Sequence, residues 1–195
     1  MIVYLGMPKC ASTWLYGKII HNFDYNGEKE PHTLVEWGKT NNDIVDFSTN
    51  NWSMDSSTAE ILDAKVSHYI YIVRDPIELA TSYYLQTTTG KNFNEFVDSL
   101  IKTKLLCFGD IIERWYNLVD KSKILVYNYN IDIQNNQEQF LESITKILNI
   151  KYDTTISPKQ KVFQTVNKPT LTCDTKLINK LDYQMNKFKK IVEKL

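Results

Sequence analysis

Short apolar runs alternate with longer amphipathic segments along this chain. The runs at residues 2–5, 68–75 and 123–129 are rich in β-branched and aromatic side chains, which predicts buried strands. Apolar residues at helical spacing predict helices at residues 13–22, 92–102, 108–119, 136–150 and 174–195, and a further helix starts at Pro76. Strands that alternate with helices in this way predict a three-layer α/β domain with a mainly parallel sheet. In such sheets, ligands bind at the carboxyl ends of the strands.

The composition excludes several classes of protein. A chain of 195 residues that is 43% hydrophobic is long enough to build a core, and we expect one domain that spans residues 1–195. The formal net charge is zero, so no overall positive field favours nucleic acid. Three cysteines without a CxxC pair favour neither a disulfide framework nor a zinc site. With no apolar stretch of membrane-helix length and no signal-peptide pattern, we expect a soluble, cytoplasmic protein without membrane insertion.

The turn after the first predicted strand reads GMPKCAST and has the chemistry of an anion site. A strand, a tight turn and a helix start aim several backbone N–H groups at one point, and the helix dipole adds positive potential there. Gly6 permits a sharp exit from the strand, and Ala11 lets a ligand approach the backbone. Ser12 and Thr13 supply hydroxyl donors, and Lys9 supplies a mobile charge. This set suits a phosphate or a sulfate group.

Two better-known phosphate loops do not fit this turn. The Walker A pattern G-x-x-x-x-G-K-S/T fails because Lys9 precedes the small residues, which weakens an Mg-ATP interpretation. The Cys-x5-Arg loop of phosphatases fails because Tyr16 stands six positions after Cys10. The plain structural alternative is a turn in which Ser12 caps a helix.

A second polar turn follows the second predicted strand, in the sequence IVRDPIELATSYY. Arg74 ends the strand, and Ser82 lies eight residues further on, two turns into the next helix. Only two of the 23 basic residues are arginine, so a guanidinium here suggests that its fork geometry is needed to grip a phosphate. The structural alternative is a surface pair of Arg74 with Asp75 or Glu78, which would contribute little to stability.

Taken together, the two turns resemble the motifs of the sulfotransferases that use 3′-phosphoadenosine 5′-phosphosulfate (PAPS). PKCASTW is similar to the family's 5′-phosphosulfate loop, PK-x-G-T-S/T-W, and VRDPIELATSYY resembles its 3′-phosphate motif. The stretch from FGDIIERWYN to FLESITKILNI resembles the family's later helix–strand–helix, so the similarity runs from Ile2 to about Ile150. The resemblance implies a P-loop NTPase-like sulfotransferase fold, PAPS as the donor and PAP as the product.

The resemblance also assigns roles to residues of the two turns. It implies that the phosphosulfate is held by the side chains of Lys9, Ser12 and Thr13 and by the backbone of Cys10, Ala11 and Trp14. It implies that Arg74 and Ser82 hold the 3′-phosphate. Cys10 and Ala11 depart from the family pattern, in which Ser, Gly or Thr are commoner. We expect Ala11 to be harmless with helical backbone angles and strained with a positive φ.

A catalytic base is suggested by the segment GEKEPHTLVEW. Lys29 to His32 resembles the Lys-Glu-x-His motif of heparan-sulfate-type members, which implies Glu30 as the base and His32 as its partner. His32 as the base, as in cytosolic members, is the second choice, and a solvated acidic loop is the structural alternative. Lys9 would place a positive charge beside the leaving phosphate. Asn167 and Lys168 fall where a late loop covers the nucleotide, and residues 41–57 either line the acceptor pocket or connect two elements.

The sequence therefore predicts transfer of a sulfuryl group from PAPS to an acceptor hydroxyl without a metal. The carbohydrate-type motif favours a saccharide acceptor. Two rivals remain open at this point: a nucleotide or small-molecule kinase that uses Mg-ATP, and a non-catalytic nucleotide-binding module that binds PAP without transferring anything.

Overall fold

The computed structural model describes residues 1–19, 45–46, 51–87, 90–150 and 171–195. The chain divides into two compact units. The first comprises Met1–Val73 and Lys123–Gln164, and the second comprises Arg74–Ser122 and Thr165–Leu195. Within the described residues, none of the helices combines the length and hydropathy of a membrane span.

The described residues of the first unit form a four-stranded sheet in which every pair of neighbouring strands is parallel. Its strands are β1 (Ile2–Tyr4), β2 (Val45–Asp46), β3 (His68–Val73) and β4 (Ile124–Asn128), in the order β2-β1-β3-β4. β1 is fully buried and β3 nearly so, as expected for interior strands of a parallel sheet covered on both faces. Because β1 and β3 are parallel neighbours, their carboxyl ends lie at the same edge of the sheet.

Helices of the first unit follow its strands. They are α1 (Ser12–Ile19), α2 (Ser56–Asp63) and α6 (Gln137–Ile147). Asp55 caps α2 by accepting a hydrogen bond from the Thr58 N–H at 2.9 Å. After β4 the chain forms a π-helical segment, Tyr129–Asn135. The side chain of Asn128 caps its start by accepting hydrogen bonds from the N–H groups of Asn130 and Ile131.

The second unit is helical in its described part. Its helices are α3 (Pro76–Tyr84), α4 (Phe93–Lys102), α5 (Phe108–Leu118) and α7 (Thr175–Val192). Asn92 caps α4 and forms a reciprocal capping box with Glu95. α5 and α7 are joined by Lys187, whose ammonium lies 2.6 Å from a carboxylate oxygen of Asp110 and 2.6 Å from one of Glu113.

The α/β class with a parallel sheet is confirmed, and the three long strands and the Asn92 cap lie where the sequence predicts them. Within the described residues, the sequence did not predict two short 3-10 helices, Asn51–Ser53 and Lys121–Lys123, nor the two-residue strand β2, the helix α2 and the π-helical segment. They fall in polar sequence without an extended apolar period, and local capping bonds define the last two. The prediction of one domain over residues 1–195 stays a prediction.

Candidate functional site

The loop between β1 and α1 has an unusual backbone. Lys9 has φ 68° and Ala11 has φ 64°, which places both non-glycine residues in the left-handed region. Cys10 lies between them, and its N–H donates to the Met7 carbonyl at 3.3 Å. Left-handed residues that alternate with others in this way turn successive N–H groups into a concave anion site. Strain of this kind is concentrated at functional sites.

Ala11 stands at the N-cap position of α1. Its carbonyl accepts the first helical hydrogen bond, from the Leu15 N–H at 2.9 Å, and Ser12 is the first helical residue. The alternative in which Ser12 caps the helix is therefore wrong. Since alanine has no side-chain oxygen, it cannot cap the first-turn N–H groups, and these N–H groups lie at the positive end of the helix dipole.

The positive φ also answers the question that the sequence left open at Ala11. A left-handed conformation costs an L-residue roughly 1–2 kcal/mol, whereas glycine adopts it freely. Ala11 therefore carries strain at a position where the sulfotransferase pattern usually has glycine. The backbone shape of the loop is kept although its residue is not the best one for that shape.

The side chains of this loop fall into two groups. Cys10 is fully buried and Trp14 is 8% exposed, with its ring centroid 6.1 Å from that of Phe140, so both pack in the core of the first unit. The backbone of Cys10 is engaged as well, since its N–H donates to Met7 and its carbonyl accepts from Tyr4, so of these two residues only Trp14 offers a first-turn N–H to a ligand. Lys9 is half-buried, and Ser12 is 5% exposed in the first turn of α1. Thr13 lies in the same turn, and its side chain is outside the described part.

Tyr4, which the sequence patterns did not single out, also holds the loop through a hydrogen bond. The Tyr4 hydroxyl donates to the Cys10 carbonyl at 2.8 Å, six residues along the chain. Gly6, expected to serve a sharp turn, does not have a positive φ; an added Cβ would stand 2.2 Å from the Tyr4 hydroxyl oxygen. The ring of Tyr4 is therefore a second reason for a glycine here, beside the sharp exit from the strand that the sequence predicts.

The second candidate turn lies in the second unit. Arg74 is 7% exposed and Ser82 is 6% exposed, on the segment that starts α3. Asp75 caps α3, because its carboxylate accepts a hydrogen bond from the Glu78 N–H at 2.9 Å. Arg74 Nη2 lies 3.5 Å from Glu78 Oε2, a long ion pair whose carboxylate is half exposed. A pair of this length with a half-exposed carboxylate is weak, and a guanidinium makes stronger charge-assisted hydrogen bonds with phosphate oxygens.

A buried amide in the first unit is a further candidate. Asn51 is 1% exposed, and neither polar atom of its side chain has a hydrogen-bond partner among the described residues. A buried polar group in this condition requires an explanation, because leaving it unpaired costs about 1–3 kcal/mol. It follows β2 in the chain, within the segment 41–57 that either lines the acceptor pocket or connects two elements. The neighbouring Trp52 is half-buried.

The remaining predicted residues cannot be placed. Glu30, His32, Asn167 and Lys168 lie outside the described residues. In the described part of the chain, no group of three or more His, Cys, Asp or Glu side chains could hold a metal ion.

Comparison with known proteins gives one family and several related folds. The family model described as Sulfotransferase domain matches residues 2–190. A sulfotransferase from Alicyclobacillus acidocaldarius has a similar structure, with TM-score 0.60, 10% identity and coverage of 98% of this chain and 95% of that chain. No curated protein sequence matches the chain.

Two further solved structures have the same fold. Mouse sulfotransferase SULT7A1 complexed with PAP has TM-score 0.58 and 17% identity, covering 98% of this chain and 81% of that chain. The sulfotransferase domain from the curacin biosynthetic pathway has TM-score 0.51 and 14% identity, covering 100% of this chain and 96% of that chain. At these identities the likeness concerns the fold.

Proposed function

The chain belongs to the sulfotransferase domain family, and on this premise we propose that it moves the sulfuryl group of PAPS to an acceptor hydroxyl. The observation that carries the proposal is the loop before α1, where Lys9 and Ala11 have left-handed angles beside the first-turn N–H groups. Such a loop binds an anion through its backbone and the helix dipole. The PAP complex of mouse SULT7A1, which has the same fold, supports PAPS as the donor.

In this proposal the loop stabilises the leaving group. The acceptor oxygen forms a bond to sulfur while the bond from sulfur to the 5′-phosphate oxygen breaks, and negative charge grows on that phosphate. Lys9, the first-turn N–H groups and the hydroxyls of Ser12 and Thr13 supply the positive charge and the hydrogen bonds. As in phosphoryl transfer, positioning and electrostatic stabilisation provide most of the rate, here without a metal.

The 3′-phosphate of the donor is assigned to Arg74 and Ser82. A buried guanidinium offers parallel N–H donors to phosphate oxygens, and the buried hydroxyl of Ser82, near the end of α3, adds another donor. The half-exposed Glu78 carboxylate, 3.5 Å from Arg74, competes with the phosphate for the same guanidinium. The phosphate is the stronger partner because it carries more charge.

The acceptor side of the proposal rests on sequence. Glu30 takes the proton from the acceptor hydroxyl and His32 orients it, with His32 as the base in the second choice. The Lys-Glu-Pro-His motif favours a saccharide acceptor, and Asn167 and Lys168 would contact the nucleotide from the late loop. Asn51 is a candidate for hydrogen bonding to the acceptor, supported by its buried amide.

We further propose that residues 1–195 act as one sulfotransferase domain. The family model runs from residue 2 to residue 190 and so includes sequence from both compact units.

Transfer of label from ³⁵S-labelled PAPS to a panel of sugars, phenols and alcohols, in the presence of EDTA, tests the reaction. We expect label on at least one hydroxyl acceptor, and a loss of about 10²–10⁴-fold in Glu30→Gln, as is typical for a missing general base. Glu28→Gln, which changes a second carboxylate of the same segment, is the matched control and should retain transfer. A protein that binds PAP but labels nothing would be the non-catalytic module, and one that instead transfers phosphate from Mg-ATP would be the kinase.

A further inference from the structure

Tyr4 makes a contact that strand packing alone does not require. It is the last residue of β1 and is fully buried, yet its hydroxyl reaches forward to the loop before α1. It donates to the Cys10 carbonyl at 2.8 Å, and the Met7 carbonyl lies at 3.5 Å from the same oxygen. Two carbonyls of the loop, three and six residues along the chain, therefore face one phenol.

Gly6 makes room for this phenol. A Cβ on Gly6 would stand 2.2 Å from the Tyr4 oxygen and 2.3 Å from the ring carbon that bears it, far inside van der Waals contact. Since Gly6 does not have a positive φ, the contact and not the backbone angle accounts for the glycine. The sequence thus has its smallest residue at a position where the ring of Tyr4 lies against the chain.

The direction of the Cys10 carbonyl determines the direction of the next N–H group. The Cys10–Ala11 peptide is trans, and in a planar trans peptide the C=O and the N–H point in opposite directions. With the Cys10 carbonyl held against the Tyr4 phenol, the Ala11 N–H points away from the phenol. From this peptide the chain enters α1 through Ala11, which has φ 64° and whose carbonyl accepts the first helical hydrogen bond.

The phenol is a dependable donor. Burial, followed by the nearby Cys10 and Tyr71, raises the pKa of Tyr4 well above its ordinary value. The hydroxyl therefore stays protonated at any physiological pH.

We propose that Tyr4 is a positioning residue for sulfuryl transfer: its hydroxyl holds the Cys10–Ala11 peptide so that the Ala11 N–H faces the 5′-phosphate of the donor. The inference rests on the proposed function, in which this loop binds that phosphate. It also explains how a loop without the usual glycine at position 11 keeps its shape, because a buried hydrogen bond opposes the relaxation of two strained residues.

The test compares two ligands on Tyr4→Phe, which removes the hydroxyl and keeps the ring. PAP carries both phosphates, whereas adenosine 3′-phosphate lacks the one that the loop binds. We expect the Kd for PAP to rise about tenfold, equivalent to 1.4 kcal/mol, with the Kd for adenosine 3′-phosphate unchanged. A general loss of structure would weaken both ligands equally.

Tyr69→Phe is the matched control, since Tyr69 is another fully buried strand tyrosine, and its hydroxyl lies beside Asp63 rather than the loop. It should leave the PAP affinity unchanged. Gly6→Ala is a second route to the same effect, because its methyl group displaces the phenol while the hydroxyl remains in the sequence. It should weaken PAP and spare adenosine 3′-phosphate.

The outcomes separate the two proposals. Wild type that binds PAP, with Tyr4→Phe and Gly6→Ala binding it equally well, would overturn the role of Tyr4 and leave the proposed function intact. Wild type that does not bind PAP would overturn the proposed function itself. A loss in both variants that is confined to PAP supports Tyr4 as the positioning residue.

Discussion

Ala11→Gly tests whether the loop before α1 is strained. Ala11 has φ 64°, and the left-handed region costs an L-residue about 1–2 kcal/mol. Glycine removes this cost, but it also lowers the unfolding free energy by roughly 0.4–1 kcal/mol, because the unfolded chain gains conformational entropy. With the middle of each range, the net gain in unfolding free energy is about 0.8 kcal/mol. For a chain of this size, it raises Tm by roughly 1–4 °C.

Gly90→Ala is the matched control for that substitution. Gly90 also has φ 64°, and among the described residues no atom lies within 4 Å of the Cβ that alanine would add. The change introduces at Gly90 the strain that Ala11→Gly removes, without a steric contact. We expect Tm to fall by about the amount by which Ala11→Gly raises it, since both shifts come from the same two terms.

Differential scanning calorimetry of the ligand-free protein measures both shifts under one condition. Strain at Ala11 is refuted if Ala11→Gly lowers Tm while Gly90→Ala also lowers it, because glycine would then not stabilise the protein at position 11. The PAP affinity of Ala11→Gly should be retained, since residue 11 contributes its N–H group and glycine has the same group.

Three further predictions concern other parts of the chain. Glu78→Gln removes the carboxylate that lies 3.5 Å from Arg74, so titration calorimetry should show PAP binding up to about fivefold tighter. Equal or weaker binding would contradict competition between Glu78 and the 3′-phosphate for Arg74. Hydrogen bonds, first from the Ser57 hydroxyl, lower the pKa of Asp55, so its stabilisation is complete above about pH 4 and is lost as pH falls through the depressed value. Acid melts should therefore show a smaller loss of Tm below pH 4 in Asp55→Asn than in wild type, and parallel curves would refute this. Asn51→Leu removes a buried amide without a partner among the described residues, so Tm should rise and the KM for the acceptor should increase; a rise in Tm with unchanged transfer would make Asn51 structural.

Much of the fold could be predicted from the sequence because its long elements carry strong local signals. β3 is a continuous run of aromatic and β-branched residues, and α4 begins with an Asn92 cap three residues before Glu95. β2 has two residues, too few for any period. α2 buries only Ala59 and Leu62 along eight residues, so its clearest signal was the Asp55 cap rather than its apolar pattern.

The candidate site was only partly predictable. Lys9 and Arg74 each follow a predicted strand, where a cationic side chain suggests an anion site. The order of the two motifs along the chain then indicated the sulfotransferase family. The left-handed φ of Ala11 leaves no mark in the sequence, since alanine is a good helix former. Tyr4 was also missed, because alternation along a strand marks a buried residue without revealing that its hydroxyl returns to a loop six residues away.

Thermal shift with PAP, compared with ATP and magnesium, shows directly whether the chain binds the nucleotide of a sulfuryl donor or that of a kinase. A ligand at a hundred times its Kd adds about 2.7 kcal/mol of stability. For a chain of this size that is a shift of roughly 5–10 °C. The account predicts this shift with PAP in EDTA for wild type and for Arg114→Ala, the other arginine, and its loss in Arg74→Ala. A shift only with Mg-ATP would contradict the account and favour a kinase.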